Sequence, residues 1–83
     1  MTVYKVFKEI KKNSTIEILT YNQRTGGEMI VFYIQEIEPD KTGFPKTVSG
    51  IATGEDAIVH RARLTLNRLA ADGNPIGKLE LLS

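Results

Sequence analysis

The sequence predicts an α+β fold in which a three- to four-stranded, mainly antiparallel sheet is packed by one long C-terminal helix. Residues 15–37 hold two β-rich runs around the polar NQRTGG, whose glycines favour a turn. Residues 54–72 place apolar side chains at helical spacing between a capping pattern and a glycine-proline stop. A chain of 83 residues, 41% of them apolar, is expected to form a single domain over residues 1–83 with one thin core.

The first segment, residues 3–12, predicts an N-terminal helix. Its apolar residues recur at the i, i+3, i+4, i+7 spacing, with lysines on the other side: Val3, Val6, Phe7 and Ile10. A strand is the alternative, because VYKVF is rich in β-forming residues.

The next two runs, TIEILTY (residues 15–21) and EMIVFYIQEI (residues 28–37), predict a hairpin. The second strand is apolar on both faces, with Ile30, Phe32 and Ile34 on one and Met29, Val31, Tyr33 and Ile37 on the other. One helix covers only one face, so the other requires the N-terminal helix or a partner molecule.

A loop and two shorter strands complete the predicted sheet. The run EPDKTGFPK (residues 38–46) is typical of a loop, and TVSGIA follows as a strand. Gly50 within that strand indicates a bulge or a close backbone approach. The terminal GKLELLS alternates apolar and polar residues and predicts an edge strand.

The predicted long helix has both start and stop signals. Thr53 and Asp56 form a capping-box pattern, Gly73 suits the position after the helix, and Pro75 prevents continuation. One broad apolar stripe is expected to lie on the sheet: Ile58, Val59, Ala62, Leu66, Leu69 and Ala70.

A second, narrower seam on this helix consists of Ala57, Leu64 and Ala71, which recur at intervals of seven. Small residues on both sides of a leucine permit the close approach of another helix. We therefore predict self-association as a homodimer or a higher symmetric oligomer.

No catalytic signature is present: the chain has no P-loop, dinucleotide fingerprint, nucleophile elbow, metalloprotease motif or cysteine. His60 is the only histidine and is predicted at the surface. Glu36, Glu38 and Asp40 alternate at a strand end, where they guard the edge or, with further carboxylates, would bind a divalent cation. We predict no enzyme, no cofactor and no metal site, with a metal-dependent nuclease as a minor alternative.

The charge balance predicts no strongly nucleic-acid-binding domain, since the formal net charge is +1. Local basic clusters still leave an RNA- or DNA-binding alternative. Its candidate phosphate contacts are Lys5, Lys8, Lys11, Lys12, Arg61 and Arg63.

The segment GEDAIVHRARLTLNRLAADGNPI, residues 54–76, resembles the helix and exit of the HicB-like antitoxin domain. The matching positions are Glu55, Asp56, Ala57, Ala62, Leu66, Leu69, Asp72, Gly73, Pro75 and Ile76. With the hairpin and TVSGIATG, the resemblance covers residues 15–76. It implies a catalytically inactive domain with a reduced ribonuclease-H-like sheet, which oligomerises and blocks a small toxin of double-stranded-RNA-binding-like fold.

The order helix, three strands, helix is also similar to a double-stranded RNA-binding domain. Such a domain uses basic residues at the start of its last helix to reach phosphates. Here that position holds Glu55 and Asp56, which would repel RNA. This resemblance is therefore ranked below the first.

The expected function is a non-enzymatic protein-binding module, antitoxin-like or a phage-type inhibitor, from a bacterium or a phage. Its partner would be a toxin or a host factor. The predicted contact residues are Met29, Val31, Tyr33, His60, Arg61, Leu64 and Arg68. Lysines interrupt every apolar run of the N-terminal segment, so we expect a cytoplasmic protein without a membrane span.

Overall fold

The computed structural model describes residues 1–24, 26–67 and 75–82, and this part of the chain forms a closed barrel of six antiparallel strands. The strands follow one another around the barrel in chain order. They are β1 (Thr2–Phe7), β2 (Thr15–Asn22), β3 (Gly26–Glu38), β4 (Thr47–Thr53), β5 (Val59–Leu66) and β6 (Gly77–Leu81). The barrel closes where β6 pairs with β1, through Thr2 opposite Lys78 and Val3 opposite Gly77.

The α+β prediction is wrong, because Val59–Leu66 of the predicted long helix form strand β5 of an all-β barrel. Along β5, Ala62, Leu64 and Leu66 are buried while Arg61 and Arg63 are exposed, which is the alternation of a strand. The same residues also fit a helical stripe, and pairing with β4 decides between the two patterns. The remainder of the predicted helix, residues 68–74, lies outside the described residues.

The predicted helix cap belongs to the turn that joins β4 to β5. The Ile58 N–H donates to Asp56 Oδ1 at 3.0 Å, and Ala57 has a φ of 60°. Short acidic side chains favour turns for the same reason that they favour helix caps, since both bond to nearby backbone N–H groups. The capping pattern was therefore ambiguous.

The predicted N-terminal helix is also wrong, and the strand alternative is confirmed as β1. A bulge between Val3 and Lys5 shifts the register against β2, so that Val3 and Val6 both pack toward the core. Strict alternation cannot describe a bulged strand, because the extra residue reverses the faces beyond it. Lys8, with a φ of 76°, follows the end of β1.

The hairpin prediction is confirmed by the register of β2 on β3. The loop predicted over residues 38–46 covers 39–46, because Glu38 ends β3, and the strand predicted over residues 47–52 is confirmed as β4. The predicted C-terminal edge strand exists as β6. It is no edge, because β6 pairs with β5 on one side and with β1 on the other.

The barrel interior is filled by alternate residues of all six strands. The buried apolar side chains are Val3, Ile16, Ile18, Ile30, Phe32, Ile34, Val48, Ala52, Ala62, Leu64, Leu66 and Leu79. The predicted helical seam is wrong: Leu64 is fully buried in this core, Ala57 lies in a turn, and Ala71 lies outside the described residues. Over the described ranges, no helix is long and apolar enough to cross a membrane.

Candidate protein-binding face

Three consecutive outward positions of β3 carry apolar or aromatic side chains. Met29 is 40% exposed, Val31 47% and Tyr33 39%, while Ile30, Phe32 and Ile34 between and beyond them are buried. The sequence showed two apolar faces on this strand and did not say what covers the second. One face is the inside of the barrel and the other is the outside. The outside remains in contact with solvent.

Neighbouring strands extend this apolar surface sideways. Leu19 on β2 lies opposite Met29, and Ile51 on β4 lies opposite Tyr33; both are half-buried. Directly opposed residues on one face of a sheet are close enough to touch a common ligand. We call Leu19, Met29, Val31, Tyr33 and Ile51 the outer apolar face.

An indentation of about 240 Å³ adjoins the outer apolar face at Leu19, with lining residues Tyr4, Leu19, Thr20, Tyr21 and Gly27. Tyr4 and Tyr21 meet edge to face there, with ring centroids 6.4 Å apart. Gly27 lies opposite Tyr21 and contributes no side chain to fill the space. The result is an apolar recess beside the outer apolar face.

Charged residues flank the outer apolar face on two sides. Arg61 on β5 lies opposite Ile51, and Arg63 follows it on the same outward side. On the other side, Glu17 lies opposite Val31 and Lys5 lies opposite Leu19. The β5 side is cationic and the β2 side is mixed.

The structure brings together four of the seven predicted partner contacts. Met29, Val31 and Tyr33 form the centre of the face, and Arg61 lies at its edge. His60 points to the inside of the barrel mouth and Leu64 lies in the core, so neither is on this surface. Arg68 lies outside the described residues.

The predicted phosphate contacts do not form one stripe. Lys5 is on β1, whereas Lys8, Lys11 and Lys12 lie in the loop after it. Lys11 Nζ is 3.4 Å from Glu9 Oε2, and Lys12 Nζ is 3.4 Å from Glu36 Oε1. The arginines, Arg61 and Arg63, are on β5, with β6 between them and β1.

The acidic residues at the end of β3 have local structural roles. Glu36 forms the ion pair with Lys12. Asp40 Oδ1 accepts hydrogen bonds from the N–H groups of Thr42 and Phe44 and from the Thr42 hydroxyl, at 2.7–3.1 Å. Among the residues whose placement is described, no three histidine, aspartate or glutamate side chains are grouped to hold a metal ion.

The residues missed by sequence reasoning are Leu19, Tyr21 and Ile51. The signal for Leu19 and Tyr21 was present, since they alternate with Ile16 and Ile18 along TIEILTY and must therefore face the other way. Ile51 could not be predicted, because it lies beside Tyr33 only through the pairing of β3 with β4, and local periodicity does not predict which strands pair.

Comparison with protein-family models, with curated proteins and with solved structures gave no match. The resemblance to the HicB-like antitoxin domain therefore stays a prediction. Two of its matching positions, Ala62 and Leu66, lie on strand β5 and not on a helix.

Proposed function

We propose that this protein is a non-enzymatic module that binds another protein through the outer apolar face. The observation that supports the proposal is the exposure of Met29, Val31 and Tyr33 around a core that is already filled. Folding does not bury these side chains, so they gain from contact with a second surface. Contiguous exposed apolar patches on small proteins commonly mark such contacts.

The recess between Tyr4 and Tyr21 suits one anchor side chain of the partner. Interface energy is concentrated where an aromatic or aliphatic side chain enters a well-packed pocket, and tyrosine and arginine are frequent at such places. Arg61 and Arg63 would pair with carboxylates at the rim. The partner we propose presents an apolar ridge with acidic residues on its β5-facing side.

Within this proposal the module acts by occlusion, as an antitoxin-like or phage-type inhibitor in the cytoplasm. Its target would be a toxin or a host factor whose working surface the barrel covers. Occlusion requires shape and affinity and no reacting group on the inhibitor, which agrees with a site made of aliphatic and aromatic side chains.

The test is affinity capture with a matched pair of variants, Val31→Lys and Thr47→Lys. Both replace an outward β-branched residue by lysine, and each position lies opposite a glutamate, Glu17 or Glu38. Only Val31 belongs to the outer apolar face. We expect one protein in stoichiometric yield with the parent and with Thr47→Lys, and loss of that protein with Val31→Lys.

Two other occupants of the face are outcomes that would overturn the proposal. A homodimer, as predicted from the sequence, would appear as a parent dimer at micromolar concentration in sedimentation and a monomer for Val31→Lys. Nucleic acid, held by Tyr33 and the β5 arginines, would be recovered without stoichiometric protein. Its affinity would fall steeply with salt and would not be weakened by the added lysine.

A further inference from the structure

One mouth of the barrel holds a cavity of about 470 Å³ that is separate from the outer apolar face. It lies at the end where β2 turns into β3 and β4 turns into β5. Its floor is formed by Ile30, Ala52 and Leu79, all buried members of the core. The volume is within the range of small-molecule pockets, about 300–1,000 Å³.

The cavity exists because β4 presents small residues to the barrel interior at this end. Ala52 is the last inward side chain of β4, and Gly54 follows at the next inward position. A β-carbon on Gly54 would overlap Glu28 Oε2 and approach Ile30 Cδ1 to 2.9 Å. Because Gly54 has no side chain, the mouth stays open and the Glu28 carboxylate can pack against the Gly54 backbone.

Hydrogen-bond acceptors converge on the mouth. Glu28 continues the inward series of β3, and its Oε2 accepts the Glu55 N–H at 2.9 Å. Asp56 Oδ1 accepts the Ile58 N–H, and its Oδ2 is 3.5 Å from His60 Nε2. Glu80 touches the rim from the outer face of β6, because it lies opposite the outward Arg63. The turn thus orients two carboxylates above an apolar floor.

The donors at the mouth are fewer. The Met1 ammonium donates to the Leu79 carbonyl at 2.9 Å, and Asn22 Oδ1 already accepts the N–H of Arg24, which lies outside the cavity lining. The Glu28 and Asp56 carboxylates therefore face one ammonium group and one imidazole. An anionic ligand would meet repulsion, and a hard metal ion would not find three grouped ligand side chains in the described part of the chain.

We propose that this mouth binds a small organic cation with an apolar body. The ammonium group would lie by Glu28 and Asp56, and the apolar body would lie on Ile30, Ala52 and Leu79. This arrangement is typical of pockets in which apolar walls supply contact area and a few polar groups select orientation. The cavity is separate from the outer apolar face, so either proposal can be wrong without affecting the other.

The probe is phenethylammonium, titrated into ¹⁵N-labelled protein at neutral pH and followed by amide chemical shifts. Its neutral and anionic comparisons are 2-phenylethanol and phenylacetate. We expect saturable shifts at the amides of Glu28, Gly54, His60 and Leu79. The ammonium should bind at least about tenfold more tightly than the alcohol, as one charge-assisted hydrogen bond predicts, and the carboxylate more weakly than both.

Variants separate the two parts of the site. Glu28→Gln keeps the shape and should reduce the affinity for phenethylammonium to about that for the alcohol, whereas Glu17→Gln on the barrel exterior should have no effect. Ala52→Leu should fill the floor and weaken all three probes; if it does not fold, Glu28→Gln still decides. Absence of saturable shifts at millimolar probe, equal affinity for ammonium and alcohol, or shifts centred on Met29, Val31 and Tyr33 would overturn the proposal.

Discussion

Gly50 on β4 lies directly against the backbone carbonyl of Tyr33 on β3, so closely that a β-carbon on Gly50 would overlap the carbonyl oxygen. The register of β3 on β4 shifts between Ile34 and Glu36, next to this contact. Beyond the shift, Ile37 packs against the core and no longer shares the outward side with Tyr33. The bulge therefore marks the end of the outer apolar face.

Gly50→Ala should destabilise the barrel strongly. The new methyl group meets backbone atoms that cannot rotate away, namely the Tyr33 carbonyl and the Gln35 nitrogen. We expect a loss of about 2 kcal/mol or more in the free energy of unfolding, the upper part of the range for overpacking. Urea denaturation measures it, with Gly27→Ala as control, because a β-carbon there meets only the Thr20 carbonyl, at 3.8 Å. Equal stability of the two variants would contradict the contact.

Leu64 distinguishes the barrel from the helical interpretation. Because Leu64 is fully buried, Leu64→Ala should cost about 3 kcal/mol, and Leu64→Glu should prevent folding, since it buries an unpaired charge. The helical seam predicts instead a folded Leu64→Glu protein that merely dissociates. Circular dichroism and urea titration decide, with Leu82→Ala as the exposed control.

The β4–β5 turn should lose stability in acid through Asp56. The Ile58 N–H that donates to Asp56, helped by His60, holds the pKa of this carboxyl below its ordinary value of 3.8. A carboxyl with a depressed pKa stabilises the fold above its unfolded value, and this contribution is lost as the pH falls through the folded value. Asp56→Asn keeps an oxygen acceptor and cannot ionise, so the melting temperature should fall less steeply below about pH 4. An unchanged acid dependence would contradict the assignment.

Val31→Lys should leave the barrel folded although it removes an apolar side chain from the centre of the outer face. Val31 is 47% exposed and lies opposite Glu17, which would pair with the new lysine. We expect a change in unfolding free energy of less than about 1 kcal/mol, as for most exposed substitutions. A loss of several kcal/mol in thermal or urea denaturation would mean that Val31 serves folding and would weaken its role in docking.

Local signals in the sequence were sufficient for the hairpin, the loop after it and the close approach at Gly50. They failed for VHRARLTL. In this segment Ala62 and Leu66 are four residues apart, as on one face of a helix, but together with Leu64 they also alternate, as on one face of a strand. Only pairing with β4 and β6 resolves such a segment, and that pairing is a property of the whole barrel. The segment that forms β1 was also assigned to a helix, because its bulge interrupts the alternation typical of a strand.

The candidate face was predictable in part. Met29, Val31 and Tyr33 follow from the two apolar sides of one strand, which demanded a second surface to cover them. Ile51 and the recess at Tyr4 depend on which strands are neighbours. The mouth cavity depends on Glu28 of β3 and His60 of β5 lining the same end of the barrel, and no local period predicts that.

The most direct test of docking through the outer apolar face is site-specific photo-crosslinking in cells. A benzophenone amino acid would replace Tyr33 in one protein and Lys78 in another; β6, which carries Lys78, lies on the opposite side of the barrel from β3. Docking through the outer apolar face predicts one discrete adduct with a different protein from position 33 and none from position 78. Equal adducts from both positions, or no protein adduct from position 33, would contradict it.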